Sequence, residues 1–281
     1  MTLKPLLLAA ALLIATPVLA QAPADPPPFK ATKIILVGDS TTAVRSGWGG
    51  AFCGQRVTSA VACVNLGRGG RSTKTYRSEG SWTLVLSEMK AGGFADTYVL
   101  IQFGHNDAYG RAERLTDLKT EFPTNLKRYV ADVRAAGAHP VLVTPLSRRQ
   151  FSDGKLVDDL IPWAQAIRAV AAETATPLVD LNARSAAAAQ ALGPVKVADW
   201  AEGPPSAEVA KALATGTTVG VKFYEPPIPG AVAVPMPAPG APGEAPFDYT
   251  HLGPVGAEAC ATIVAEALAK AVPELARVLA P

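Results

Sequence analysis

The hydrophobic residues of this chain fall into short, nearly continuous runs that alternate with stretches of helical composition. Such apolar runs are typical of parallel strands that helices cover on both faces. They predict five buried strands, at residues 33–38, 62–67, 97–104, 140–146 and 177–182. The stretches between and after them predict helices at 116–136, 158–174, 183–192 and 254–271, the last with Pro254 near its start.

This alternation of strand and helix predicts an α/β fold, a three-layer α/β/α sandwich on a five-stranded parallel sheet. We expect one domain over residues 32–281, with a sizeable core. Residues 194–246 depart from the pattern, because they end in a Pro/Ala-rich stretch that disfavours regular helix and central strand. We predict a surface insertion in polyproline or disordered form there, and a flap beside the functional site is the alternative.

The first twenty residues predict a secretory signal peptide. Lys4 precedes an apolar run, and small residues lead to an expected cleavage after Ala20. The run is short for a membrane span, so we expect no membrane attachment after cleavage, with an uncleaved anchor as the alternative. Residues 21–31 would then be an N-terminal tail, and the mature protein would be periplasmic or secreted.

Charge and cysteine content narrow the function classes. The formal net charge is +2 and 18% of the residues are charged, so we expect no nucleic-acid partner. The chain has no CxxC motif, HExxH motif or Cys/His cluster, so we predict no metal and no cofactor. Three cysteines allow one disulfide, and Cys53 and Cys63 are the candidate pair, but free thiols are equally compatible with the sequence. We expect a monomer.

Polar, glycine-containing stretches follow three of the predicted strands. They are "GDSTTA" from Gly38, "NLGRGGRST" from Asn65 and "QFGHND" from Gln102. Because the carboxyl ends of parallel strands meet at one edge of a sheet, where ligands and catalytic groups gather, we expect these stretches to lie together.

Each stretch has a chemical and a purely structural interpretation. Ser40 could expose a nucleophilic hydroxyl beside a backbone N–H, or Asp39 and Ser40 could merely cap a helix. The second stretch could point backbone N–H groups at a ligand, or it could be a plain turn. Asn106 could donate its side-chain amide into a site, or it could form an Asx turn.

Of the three histidines, His251 is the candidate base. His139 lies between a predicted helix and strand, at the edge of the sheet away from the site, and we predict a structural role for it. His251 follows Asp248 by three residues, so the carboxylate could hold one ring nitrogen while the other takes a proton from Ser40. The alternative is a solvated turn in which the two side chains occur incidentally.

The motif blocks of this chain, taken in order, resemble those of the GDSL/SGNH hydrolase superfamily. The matching positions are Gly38-Asp39-Ser40, Gly70, Asn106 and Asp248-x-x-His251. More narrowly, "GDSTT", "GGRS", "FGHND" and "DYTHLGPVGA" are similar to the carbohydrate esterases of the rhamnogalacturonan acetylesterase type, and the resemblance extends over about residues 33–270. It implies a flavodoxin-like fold and metal-independent ester hydrolysis.

The resemblance also implies residue roles. Ser40 would be the nucleophile, His251 the base and Asp248 its partner. The oxyanion hole would consist of the backbone N–H groups of Ser40 and Gly70 and the side chain of Asn106. Gly70 is selected from the three glycines of its loop by its position before Arg71-Ser72.

Basic residues in or just after the edge loops predict an acidic substrate. Each alone is typical of a solvated loop, but together they would form a local basic rim. Guanidinium groups bind carboxylates, because their planar fork matches the two oxygens. With the resemblance, this rim predicts an acetylated, galacturonate-containing pectic polysaccharide as substrate, with Arg68, Arg71 and His105 as candidate contacts. The rim residues are Arg45, Arg68, Arg71, Lys74, Arg77 and Arg111.

Two other functions remain compatible with the sequence. The same machinery would serve a lipase, a thioesterase or an acyltransferase on another acyl substrate. A non-catalytic module that binds acetylated polysaccharide is disfavoured, because every expected catalytic position is occupied.

Overall fold

A computed structural model of the protein describes residues 30–219 and 247–280. The predicted signal peptide at 1–20, nearly all of the tail at 21–31 and the Pro/Ala-rich end of the 194–246 insertion lie outside these residues. They remain predictions.

A five-stranded parallel sheet confirms the predicted fold class. Its strands lie side by side in the order β2-β1-β3-β4-β7, and β5 and β6 pair separately as a short antiparallel hairpin. The strands in chain order are β1 (Thr32–Gly38), β2 (Val61–Asn65), β3 (Thr97–Gln102), β4 (His139–Val143), β5 (Phe151–Ser152), β6 (Lys155–Leu156) and β7 (Leu178–Val179). This is the flavodoxin-like order, in which the chain reverses direction across the sheet between β1 and β3, and ligands bind beyond that switch point.

The helices cover both faces of the sheet. In chain order they are α1 (Gly49–Gln55), α2 (Thr75–Ser78), α3 (Ser81–Lys90), α4 (His105–Ala108), α5 (Glu121–Ala135), α6 (Ile161–Glu173), α7 (Leu181–Val197), α8 (Ala207–Ala214) and α9 (Pro254–Ala271). The four predicted helices correspond to α5, α6, α7 and α9. The sequence did not predict α2, α3 or α4. It also did not predict α1, because its three glycines have low helix propensity and only tertiary packing forms it.

The first part of the 194–246 segment is largely helical, which differs from the predicted extended insertion. Gly193 adopts a left-handed φ of 75°, so Pro194 starts a new turn and does not end the helix. A 3-10 turn at Ala198–Trp200 and α8 follow, and the Ser206 side chain caps α8 by accepting from the Val209 N–H.

Two apolar clusters flank the sheet, one on each face. Alternation along β1 places Ile34 and Leu36 on the face covered by α1, α7 and α9, and Ile35 and Val37 on the face covered by α3, α5 and α6. The rigid sheet between these clusters fixes where the loops at its carboxyl edge begin.

A disulfide joins Cys53 in α1 to Cys63 in β2, while Cys260 is free and buried. The question that the sequence left open is thereby answered in favour of the bond. Among the described residues, no helix has both the length and the apolar character needed to cross a bilayer.

Candidate active site

The loop after β1 presents Ser40 at the carboxyl edge of the sheet. The buried Asp39 carboxylate accepts hydrogen bonds from the Thr41 N–H at 2.8 Å and the Thr41 hydroxyl at 2.7 Å, which closes a tight turn around Ser40. No helix begins until Gly49, so the alternative that Asp39 and Ser40 cap a helix is wrong.

Ser40, His251 and Asp248 form a continuous hydrogen-bonded chain. The Ser40 hydroxyl lies 2.8 Å from His251 Nε2, and His251 Nδ1 lies 2.6 Å from Asp248 Oδ2. With Nδ1 protonated, the ring donates to the carboxylate and Nε2 accepts from the serine hydroxyl. Asp248 Oδ1 accepts from the backbone N–H groups of Thr250 and His251, which fixes the carboxylate.

A second contact, beside Ser40, joins the loop after β1 to the loop before α9. The Ser46 hydroxyl donates to the Ser40 carbonyl at 3.0 Å, and the Leu252 N–H donates to the Ser46 carbonyl at 2.8 Å. Ser46 and Leu252 thus form an isolated antiparallel bridge. The loop that carries the serine is therefore held directly against the loop that carries the histidine.

The electrostatics of the Asp248–His251 pair favour a charged carboxylate and a basic imidazole. Burial raises the pKa of Asp248, but the hydrogen bond and charge of His251 outweigh it and lower the pKa to about 2. Burial lowers the pKa of His251, and the hydrogen bond and charge of Asp248 outweigh that effect and raise it above its ordinary value. Both side chains remain about one-third exposed, so solvent reaches the site.

The loops after β2 and β3 meet beside Ser40. Gly70 has a φ of +78°, a left-handed conformation that glycine adopts without strain. An added Cβ on Gly69 would lie 3.6 Å from the Ser40 Cβ, so this loop contacts the serine turn. Asn106 donates through Nδ2 to the Arg71 carbonyl at 3.2 Å, and the second N–H of that amide remains for another acceptor.

Asp107 holds the loop that contains Gly67, Gly69 and Gly70, called here the glycine loop, through buried hydrogen bonds. Its buried carboxylate accepts from the Thr73 N–H at 3.0 Å and the Thr116 hydroxyl at 3.0 Å, and the Tyr129 hydroxyl donates to the Thr73 carbonyl at 2.8 Å. Burial raises the pKa of Asp107 to about 7 despite these hydrogen bonds. The backbone around Gly70 is therefore fixed by groups in α4 and α5.

The other two histidines are not part of this hydrogen-bonded chain. His105, a candidate substrate contact, is only 5% exposed and its Nδ1 lies 3.6 Å from Asp39 Oδ2. That burial places it behind the serine turn and not on a substrate surface. His139 begins β4 at the opposite edge of the sheet, as expected, and stacks on Tyr98 with ring centroids 4.8 Å apart.

Most of the predicted basic rim is paired with acidic side chains. Arg71 and Arg68 both face Glu79, at 2.8 Å and 3.6 Å. Lys74 pairs with Glu121 and Arg77 with Asp132. Arg45 and Arg111 are exposed. The two proposed arginine contacts, Arg68 and Arg71, thus have part of their charge neutralised within the protein.

Arg149 is a residue of the site that the sequence did not single out. It lies in the loop after β4, is only 2% exposed and donates to the backbone carbonyls of Asp248 (2.9 Å), Thr250 (3.2 Å) and His251 (2.8 Å). Burial lowers its pKa to about 10, so it remains charged at neutral pH. Its partners are carbonyl groups about a hundred residues away, and side-chain patterns do not reveal such contacts.

The arrangement can support nucleophilic chemistry on a carbonyl group, since hydroxyl, imidazole and carboxylate stand in series beside a glycine loop and a side-chain amide. Within residues 30–219 and 247–280, no group of three or more His, Cys, Asp or Glu side chains is arranged to hold a metal ion.

Comparison with known proteins identifies the class. Residues 36–203 match the family model described as the GDSL-like lipase/acylhydrolase family. The chain belongs to this family, as the resemblance in its motif blocks predicted, and is thus a carboxylic ester hydrolase of the SGNH type.

Two relatives from Bacillus subtilis (strain 168) are similar over most of their length. A probable rhamnogalacturonan acetylesterase, YesY, is 35% identical over 164 residues, which cover 56% of this chain and 73% of that protein. The rhamnogalacturonan acetylesterase RhgT is 34% identical over 173 residues, which cover 59% of this chain and 71% of that protein.

Solved structures share the fold. The YxiM protein of Bacillus subtilis superimposes with a TM-score of 0.57 at 21% identity, and the match covers 86% of this chain and 57% of that one. Axe2, an acetylxylan esterase from Geobacillus stearothermophilus, superimposes with a TM-score of 0.51 at 16% identity, over 86% of this chain and 94% of that one. At these identities the similarity establishes the architecture alone.

Proposed function

We propose that this protein removes acetyl groups from plant cell-wall polysaccharide, with pectic rhamnogalacturonan as the substrate. The observation that carries the proposal is the hydrogen-bonded series Ser40–His251–Asp248, with distances of 2.8 Å and 2.6 Å. Support for the substrate comes from the two relatives named as rhamnogalacturonan acetylesterases, each matched over more than 70% of its length.

In the proposed reaction, Ser40 Oγ forms a bond to the ester carbonyl carbon while His251 Nε2 takes the serine proton. The resulting oxyanion accepts hydrogen bonds from the Ser40 and Gly70 N–H groups and the Asn106 amide, each worth roughly 3–4 kcal/mol in such sites. Collapse breaks the bond to the sugar oxygen, which receives the proton from His251. Asp248 stabilises the imidazolium during both transfers.

The second half of the reaction releases acetate. A water molecule attacks the acetyl-serine carbonyl and gives a proton to His251 Nε2. The second tetrahedral intermediate collapses, the bond to Ser40 Oγ breaks and the proton returns to the serine oxygen. The side chains are then back in their initial protonation states, and one water molecule has been consumed for each acetate released.

The Cys53–Cys63 disulfide supports an exported protein, because such bonds persist mainly in oxidising compartments. Together with the signal peptide predicted at residues 1–20, it favours a periplasmic or secreted enzyme. We propose that it acts there as a monomer.

Acetate release from a panel of acetylated polysaccharides tests the proposed substrate. We expect release from acetylated rhamnogalacturonan to exceed release from neutral acetylxylan, because pectic chains carry carboxylates. In a p-nitrophenyl ester series we expect acetate to be preferred over octanoate. Preference for octanoate would favour a lipase or thioesterase, and equal rates on the two polysaccharides would contradict the pectic assignment.

A further inference from the structure

Arg114 lies directly over the glycine loop of the site. Its Nη1, Nη2 and Cζ would be 3.1, 3.1 and 3.2 Å from a Cβ added to Gly70. Nearly equal distances to three guanidinium atoms mean that the flat face of the group covers this glycine. A guanidinium therefore lies one residue from Gly69, where an added Cβ would be 3.6 Å from the Ser40 Cβ.

The surrounding backbone holds Arg114 in place. The Arg114 N–H donates to the Arg111 carbonyl at 2.9 Å, and the Thr116 N–H donates to the Asp107 carbonyl at 3.2 Å. Thr116 also binds the buried Asp107 carboxylate through its hydroxyl. The loop that carries Arg114 is thus joined to α4, which fixes the backbone from which the side chain extends.

Arg114 differs from most of its basic neighbours, which have acidic partners, and from Arg111, which is exposed. Arg68, Arg71, Lys74 and Arg77 each face an acidic side chain. Arg114, by contrast, is half-buried and makes no ion pair and no side-chain hydrogen bond with any residue in the ranges 30–219 and 247–280. A half-buried guanidinium has been partly desolvated and still has all five N–H donors available.

We infer that Arg114 binds the carboxylate of a uronic acid in the substrate, on the acetylated sugar or the sugar next to it. A planar guanidinium matches a carboxylate in a bidentate geometry, and its position beside Gly70 places that carboxylate close to the ester held at Ser40. Arg114 then determines specificity for acidic over neutral acetylated polysaccharide. This inference rests on the proposed function.

The test compares a substrate with ionised carboxyl groups and the same substrate with those groups methylated and neutral. Acetylated rhamnogalacturonan oligosaccharides are assayed as free acids and after methyl esterification of the galacturonate carboxyl groups, and kcat/KM for acetate release is measured on each. We expect the wild-type protein to prefer the acid form. Arg114→Gln should lower kcat/KM on the acid form roughly tenfold, and leave the methyl ester within about twofold, since one charge-assisted pair is lost.

Two further variants control the comparison. Arg111→Gln removes an exposed charge from the same loop and should keep the wild-type preference. Arg114→Lys keeps the charge but loses the planar fork, so it should retain part of the preference. Thermal melting of each variant verifies that the fold is intact.

Two other outcomes would contradict either the role of Arg114 alone or the proposed substrate as well. If Arg114→Gln lowers both substrates equally, or neither, Arg114 does not bind the carboxylate, although the proposed function stands. If the wild-type protein hydrolyses p-nitrophenyl acetate but releases no acetate from either oligosaccharide, the proposed pectic substrate and the role of Arg114 fail together.

Discussion

The imidazole of His251 is placed between a carboxylate that raises its pKa and a hydroxyl that needs a base. Its Nδ1 is bound to Asp248 at 2.6 Å, and its Nε2 faces Ser40 at 2.8 Å. The carboxylate has a pKa of about 2, so it stays ionised at any pH at which the ring titrates. The pair therefore acts as one unit in which Asp248 sets the basicity of His251.

The activity of the enzyme should be lost as pH falls through the pKa of His251. The neutral ring is the base, and its pKa is raised above the ordinary 6.5, so the acid limb of kcat/KM should lie above pH 6.5. Asp248→Asn removes the interaction that raises the pKa. The limb should then move to lower pH, while kcat falls roughly 10³–10⁴-fold.

A pH–rate profile on p-nitrophenyl acetate measures this effect. His139→Gln is the matched control, because His139 lies at the far edge of the sheet and should leave the profile unchanged. An acid limb at or below pH 6.5 that Asp248→Asn does not move would contradict His251 as the base.

At the residue scale, sequence reasoning was strongest where a motif fixes local spacing. The separation of Asp248 and His251 suggested the turn that their contact requires. Arg149 and Arg114 were not predicted, because their positions depend on backbone groups distant in the chain. A buried arginine that donates to three carbonyls cannot be distinguished in the sequence from a solvated one.

At the element scale, the site is an assembly of loops held by a few buried polar groups. Asp107 connects the glycine loop to α4, and Gln102, at the end of β3, accepts from the Trp48 indole N–H at 2.7 Å. Arg149 connects the loop after β4 to the turn that precedes α9. These groups fix the loops relative to the sheet, so that hydroxyl and imidazole meet without a large rearrangement.

Arg149→Met should misplace the turn of residues 248–251, called here the histidine turn. It leaves three carbonyl groups without their donor, and each buried unsatisfied group costs about 1–3 kcal/mol. We expect a lower Tm, a lower kcat well below that Tm, and an acid limb shifted to lower pH because the Asp248–His251 contact loosens. Arg149→Lys should restore part of kcat.

The control for this prediction is the neighbouring arginine. Arg148 pairs with Asp159 at 2.6 Å and stacks over Tyr109, so its partners are not in the histidine turn. Arg148→Met should lower Tm and leave the pH profile unchanged. A wild-type kcat and pH profile in Arg149→Met would show that Arg149 does not position the turn.

The elements that the sequence predicted are those with strong periodicity or continuous apolar runs. All five sheet strands were predicted because each has a nearly continuous apolar run, which the inner strands β1, β3 and β4 need for burial on both faces. Helix α1 and the helical continuation after Gly193 were not. In both cases glycine suggests an end to regular structure, whereas packing in α1 and a left-handed φ at Gly193 allow the helix to form or resume.

At the scale of the whole molecule, strand order explains how distant residues form one site. β1 lies beside the central strand β3, so the loops carrying Ser40 and Asn106 leave adjacent strands at the switch point. Helix α9 packs on the face shared with α1, and its preceding turn brings His251 to the same edge. Residues 211 positions apart thereby come into hydrogen-bonding contact.

The pairing of charged side chains around the site also depends on the fold of the whole molecule. The net charge is only +2, and the loop cations are largely matched by Glu79, Glu121 and Asp132. The positions of the basic residues in the edge loops predicted a basic rim, but their pairing depends on the fold and was not predictable from the sequence. What remains unpaired at the glycine loop is a single guanidinium, that of Arg114, among the residues described.

Labelling with diisopropyl fluorophosphate, followed by peptide mass mapping, tests whether Ser40 is the nucleophile and His251 its base. We predict one phosphoryl adduct, on Ser40, and its loss in His251→Ala. Ser40→Ala should neither be labelled nor hydrolyse p-nitrophenyl acetate above about 10⁻³ of the wild-type rate, whereas the exposed control Ser87→Ala should behave as wild type. An adduct on another residue, or wild-type turnover by Ser40→Ala, would contradict the account.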